Sequence, residues 1–321
     1  AETEKMVEEC EKAGVKLVCA HTASFGLPYR IMRKVIQSGA IGELRAVHLL
    51  AYTDWMLRPR TSDELDFSQG GGVPFRQGPH QLDTIRLLGG GMIKNVWAKV
   101  GQWMPERSIP GYYTANFEFE NGVVATATHN GYGYFTLSEV NGPAAGRSSI
   151  ESHAEVRKQM RDGTRDEDAD KQDLRIGGVV EAKQFEAAKT EGPSRGNFGR
   201  QIDREPGDRR GLNDTGDPGT IVVTCERGDM RIGPRGVFIY DDQGVREVTG
   251  ESSVDARGEI HEMYEAVVND QPVYHSGRWG MATAEAIFAM VESSQTGKVV
   301  ELTHQIPVHP DYDADLRVVD L

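Results

Sequence analysis

Within fourteen residues, Gly70-Gly71-Gly72-Val73-Pro74-Phe75-Arg76-Gln77-Gly78-Pro79-His80-Gln81-Leu82-Asp83, the chain gathers a guanidinium, two amides, an imidazole and a carboxylate. An imidazole titrates near neutrality and can take or give a proton there, which makes His80 the candidate acid–base residue. Arg76 precedes it by four residues, so on one helix the two side chains share a face. A guanidinium beside a proton acceptor suits an oxygen-rich or anionic small molecule, because its fork of donors matches a carboxylate. Arg76 either binds such a group or is a surface arginine paired with an acid such as Asp66. Gln77 either adds an amide to the same ligand or faces solvent. The three glycines let the backbone adopt conformations that side chains forbid, and let a ligand approach closely. Asp83 either orients His80 or pairs with Arg86, three residues on.

Arg58 and Arg60, flanking Pro59 upstream, are either solubilising loop residues or a second arm for an anion. In the run His21-Thr22-Ala23-Ser24-Phe25-Gly26-Leu27-Pro28, Phe25 reads as core, and His21 is open between an ordinary turn and a site residue. His129 and Tyr134 either reach the pocket or simply pack. His48, Asp54, His80 and His129 fit no metal-ligand spacing, so no metal is expected. Cys10, Cys19 and Cys225 show none either and leave an odd thiol. A reduced, cytoplasmic setting is the plain expectation.

The elements that must position these residues follow from periodicity and punctuation. Residues 3–13 read as an amphipathic helix stopped by Gly14, and 16–20 as a short strand. A second helix runs from about 26 to 38, closed by Gly39. Residues 43–54 alternate as a strand. After a helix of about 77–88 come strands near 92–103, 111–120, 123–130 and 134–140, with Asn121-Gly122 marking a hairpin. From about 147 to 218 the chain is charged and poor in aromatics, with short helices expected at 152–161 and 179–189 in an insertion or lid. Strands resume at 220–225, 229–232, 236–240 and 244–248, followed by helices at about 256–269 and 279–296 and a Pro-containing tail. This order indicates α+β.

With 321 residues, 38% hydrophobic and a formal net charge of −13, the chain can bury a real core. That charge argues against nucleic acid as a partner. No apolar run reaches the roughly 18–20 residues of a membrane span, so no membrane partner is expected. A small-molecule substrate is the partner expected instead.

Gly70, Gly71, Gly72, Gly78, His80 and Asp83 together resemble the substrate-domain signature of the Gfo/Idh/MocA oxidoreductases. The resemblance extends from about Thr3 to Gln305, and Arg76 departs from it where an Asp is usual. It implies an open, largely antiparallel sheet with flanking helices, preceded by the last helix–strand piece of a Rossmann domain. The implied organisation is 1–41 as that remnant, 42–298 as the substrate and oligomerisation domain with its insertion at about 147–218, and 299–321 as a tail. It also implies NAD or NADP as cofactor, homo-oligomerisation through the sheet, a catalytic role for His80, and His21 beside the nicotinamide end. Arg76, Gln77, Arg58 and Arg60 are then substrate-binding candidates.

The run Tyr52 to Arg60, the stretch Gln77-Gly78-Pro79-His80-Gln81 and the run Gly277 to Thr283 are similar to one branch, the phthalate 4,5-cis-dihydrodiol dehydrogenases and their like. Hydride transfer from a hydroxyl-bearing, carboxylated small molecule is the implied activity. Since no G-x-G-x-x-G follows a strand, the expectation is either a fragment or a chain without its own cofactor site. The alternatives are a non-catalytic sheet-pairing or small-molecule-binding subunit, and a sugar or polyol dehydrogenase of the same fold.

Overall fold

The computed structural model describes residues 2–137, 150–172, 219–252, 258–319 and 321. After helix α1 (Glu2–Ala13) comes α2 (Leu27–Ser38), opened by Pro28 in its first turn and closed by Gly39 in the left-handed region. Strand β1 (Leu44–Tyr52) leads through a long loop to α3 (Val73–Arg76) and α4 (Gly78–Gly89). Strands β2 (Ile93–Gly101), β3 (Tyr112–Phe119) and β4 (Val124–Asn130) follow, then α5 (Ile150–Arg161). A meander of β5 (Thr220–Cys225), β6 (Gly228–Ile232), β7 (Val237–Asp241) and β8 (Gly244–Ser252) precedes α6 (Glu259–Val268) and α7 (Gly277–Thr296). Two short strands, β9 (Val300–Glu301) and β10 (Leu316–Val319), complete the order.

The strands form one open sheet ordered β10-β8-β7-β6-β5-β1-β4-β3-β2-β9. Among the described strands only β1 and β4 run parallel, with Ala51 opposite His129 and Tyr52 opposite Asn130. Alternation decides the faces. Val47, Leu49 and Ala51 of β1, with Ala125 and Ala127 of β4, are buried, while His48, Leu50 and Val124 point to the other side and are exposed. The buried face is covered by α2 over β7, β8 and β10, by α4 over β1 and β4, and by α7 over β2. The expected α+β, largely antiparallel architecture is what these residues build.

Three expectations need correction. Residues 16–20 form no strand; a single bridge, Val18 to Ser276, anchors them, because no neighbouring strand lies alongside. Tyr134–Leu137 is irregular, and the rest of the 134–140 run lies outside the described residues, as does the helix expected at 179–189. The tail is not a mere appendage: it supplies both edge strands, β9 beside β2 and β10 beside β8. A buried ion cluster fixes it, with Arg30 Nε donating to Asp313 Oδ1 at 2.8 Å and Arg33 Nη1 to Asp313 Oδ2 at 2.9 Å. Residues 1–41 share the common core through Tyr29, Ile31, Met32 and Val35 of α2.

Candidate active site

Pro79 has no backbone N–H, so the helical run breaks before it. Arg76 therefore ends α3, Gln77 is the cap, and His80 sits in the first turn of α4. The single-face argument for Arg76 and His80 fails at this break. The glycines serve the chain itself more than a ligand. A side chain at Gly71 would meet the carbonyl oxygens of Glu64 and Asp66 at 2.5 and 2.7 Å, and Gly72 holds φ +93° against Pro110. The triplet thus locks the loop before α3 onto neighbouring backbone.

His80 is half-buried, and among the described residues no hydrogen bond holds its ring. Burial pushes its pKa below the ordinary value, and the nearby His21 pushes further, against the pull of Asp83. A neutral imidazole with free nitrogens is a proton acceptor in waiting.

His21, from before α2, and His129, from β4, share its electrostatic surroundings. His129, at the end of β4, is fully buried; its Nε2 lies 3.1 Å from Thr53 Oγ1 and its Nδ1 has no partner among the described residues. Burial, then Arg58 and His80, depress its pKa to about 3. Arg58 and His80 thus both act on His129, which stands at the carboxyl end of the parallel strand pair, a usual place for ligands in sheets with parallel strands. Tyr113 on β3 donates its hydroxyl to Oε1 of Gln81, the residue after His80.

The arginines differ in what they leave free. Arg58 donates from Nε and Nη2 to Asp54 Oδ1 at 2.9 and 2.8 Å and keeps its remaining donors toward solvent, its side chain 38% exposed. Burial alone would raise the Asp54 carboxyl; Arg58, then His153, hold it below its usual range. Arg60 is engaged within the chain. Its guanidinium stacks 3.7 Å over Trp55, and its donors go to Trp55 O and Glu64. Arg76 pairs with Asp63, not Asp66, at 3.0 Å, and its buried Nε finds no acceptor among the described residues. Gln77 donates to the Arg76 carbonyl at 3.1 Å.

His21 departs furthest from a plain turn residue. Its Nδ1 lies 3.3 Å from Asp83 Oδ1, and Cys19 Sγ sits 3.6 Å from Nε2. Burial would lower its pKa, yet the hydrogen bonds to Asp83 and Cys19 carry it up to about 10. Asp83 itself is fully buried and held far below the carboxylate range; burial opposes this, and His21 overrides it. Neither expected role of Asp83 holds directly. Its Oδ1 accepts from His21, from Trp279 Nε1 at 2.6 Å and from Thr283 Oγ1 at 3.1 Å. Arg86 reaches it only through Thr283, to which Nη1 donates at 2.7 Å. Trp279 and Thr283 were visible only as members of the 277–283 run. Their shared helix face, four residues apart, was the signal available. Phe25 is core, stacked on His275 at 3.8 Å.

His48 lies on the exposed sheet face, bonded to Thr126. Tyr134 is exposed beneath the Arg157 guanidinium. No three His, Cys, Asp or Glu side chains among the described residues are placed to hold a metal, and no described helix is long and apolar enough to cross a membrane.

Comparison with known proteins bears on this geometry. A sequence profile of the GFO/IDH/MocA C-terminal domain matches residues 29–137. The chain is 30% identical over 288 residues to 1-carboxy-3-chloro-3,4-dihydroxycyclohexa-1,5-diene dehydrogenase of Comamonas testosteroni, covering 89% of the chain and 68% of that protein. Among solved structures it resembles a protein of Bordetella bronchiseptica RB50 assigned as a dehydrogenase, with 32% identity, a TM-score of 0.72, and 94% and 73% of the two chains covered. A levoglucosan dehydrogenase solved with NADH and levoglucosan shares the fold at 16% identity and a TM-score of 0.60, with 94% and 70% covered.

Proposed function

The chain belongs to the Gfo/Idh/MocA family of oxidoreductases, and on that premise we propose that it works in the nicotinamide-dependent oxidation of a carboxylated, hydroxyl-bearing small molecule of the cis-dihydrodiol type. The observation that carries this reading is His80: half-buried, its ring without a hydrogen bond among the described residues, and held by burial below its ordinary pKa. The name of the Comamonas relative supports the substrate class, since it pairs a ring carboxylate with a vicinal diol.

The described residues include no G-x-G-x-x-G turn between a strand and a helix of the kind that cradles a dinucleotide's pyrophosphate. What they fit is the reacting end. A nicotinamide nucleotide, NAD or NADP, would supply the hydride acceptor there. The chain's own residues do the rest. His80 takes the carbinol proton as the C–H bond is lost, and the ring ketone so formed enolises to an aromatic diol, which draws the reaction forward. Arg58, joined by Arg76 from the glycine loop, holds the carboxylate and so fixes which carbinol carbon faces the acceptor.

The open sheet face, which exposes Leu50, Val124 and Val222, supports self-association in the same reading. The test of the function is a titration of the purified chain with NADH and with NADPH by nicotinamide fluorescence, repeated with a carboxylated catechol and with plain catechol. Saturable nucleotide binding strengthened by the carboxylated ligand alone is expected. Equal response to both catechols would remove the carboxylate from the account.

A further inference from the structure

Residues 53–72 join no strand, yet Trp55, Met56 and Leu57 among them are buried. Buried carbonyls need donors, and here cationic side chains supply them in succession. Arg60 Nη2 donates to the Trp55 carbonyl at 3.0 Å, Arg107 Nε to that of Met56 at 2.7 Å, and Arg165 Nη1 to that of Leu57 at 2.7 Å. Arg107 Nη2 donates to the Arg58 carbonyl at 3.1 Å, and Lys171 Nζ to that of Pro59 at 3.3 Å. Every carbonyl from 55 to 59 is thus held by a cation, and Arg58 stands inside that run.

Two of these donors come from the charged insertion: Arg165 and Lys171 reach back 108 and 112 positions. Glu167, between them, accepts from the Arg60 backbone N–H through Oε2 at 3.0 Å and from Arg107 Nη2 through Oε1 at 2.6 Å. Arg165 is itself fixed by Asp170, to which its Nε donates at 2.9 Å. A second tie runs through a side chain. Asp54, whose Oδ1 takes both Arg58 donors, has its Oδ2 at 3.5 Å from Nε2 of His153 on α5.

We infer that Arg165, Glu167 and Lys171 are positioning residues for Arg58: they fix the backbone on either side of it, so that the insertion sets the preference for a carboxylated ligand. The inference rests on the reading of Arg58 as the residue that holds the carboxylate. A loop places a binding group well only when its surroundings lock it. Guanidinium groups suit the task because one fork can hold two acceptors, as Arg107 does for Met56 and Arg58.

The experiment measures binding of dihydroxybenzoate and of catechol to the whole chain by calorimetry with NADH present, together with hydrogen exchange over residues 55–60. Arg165→Ala should speed exchange there and weaken dihydroxybenzoate binding about tenfold, the worth of one charge-assisted contact, with catechol unaffected. Arg165→Lys, which can still donate to the Leu57 carbonyl, should recover most of that loss. In an Arg58→Ala background, Arg165→Ala should cost dihydroxybenzoate nothing further, because the side chain it positions is gone. Arg161→Ala, at an exposed site of the same insertion, should change neither ligand. Should Arg165→Ala not fold, Glu167→Ala, which releases the Arg60 N–H and Arg107, carries the same expectation. A preference for dihydroxybenzoate left intact in a folded variant, or reduced as much again in the Arg58→Ala background, overturns the inference alone. A wild type that binds the two ligands alike, or neither, sinks the proposed function and this role with it.

Discussion

At the scale of single residues, the account turns on which nitrogens and which donors are free. His80→Asn should lower kcat by about 10²–10⁴-fold with the fold intact, the usual worth of a positioned base. Because burial and His21 hold the His80 pKa below its ordinary value, kcat/KM for oxidation should stay level down past pH 6.5 and fall only below it. A limb centred above pH 7 would contradict that sign. Arg58→Ala should raise KM for the carboxylated substrate about tenfold or more, the size of one charge-assisted hydrogen bond of about 1.5–3 kcal/mol, while a substrate without the carboxylate is unaffected. That His80 stands on a helix was legible in the sequence, because Pro79 and the apolar run after it mark a helix start. The stacking of Arg60 on Trp55 was not, because nothing in a row of letters gives a guanidinium's packing. The His21–Asp83 pair joins residues 62 positions apart, beyond any local pattern.

At the scale of elements, the loop before α3 and the tail hold the site's frame. Gly71→Ala would drive a methyl group into two carbonyl oxygens. It should destabilise the chain and displace α3, seen as a lower Tm together with a raised KM. Asp313→Asn removes the carboxylate between Arg30 and Arg33, both nearly sealed from solvent. Arg30 keeps Asp315, but Arg33 loses its carboxylate, which should cost about 3 kcal/mol by urea unfolding. The helices and meander strands were readable from caps and alternation. β9 and β10 were not: two and four residues are too short to show a period, and their pairing is set by distant partners. The break at Gln77 was signalled by Pro79, yet the i,i+4 spacing across it gave a misleading single face.

For the whole molecule, two histidines with opposite shifts shape stability. His21, raised to about 10 in the fold, contributes fully below about pH 6.5 and loses its contribution as pH rises through 10. His129, depressed to about 3, contributes above about pH 6.5 and loses it as pH falls through 3. Thermal midpoints should therefore peak near neutrality, and His21→Asn should flatten the alkaline side. A wild-type midpoint that climbs steadily from pH 6.5 to 10 would argue against the pair.

The central claim is best met by one comparison: initial rates of NAD⁺ and NADP⁺ reduction with a carboxylated cis-dihydrodiol, with its carboxylate-free counterpart and with a simple polyol. The account predicts turnover of the carboxylated diol at a kcat/KM at least about tenfold above the others, abolished by His80→Asn. Equal rates with the polyol, or carboxylated turnover undiminished in His80→Asn, would contradict it.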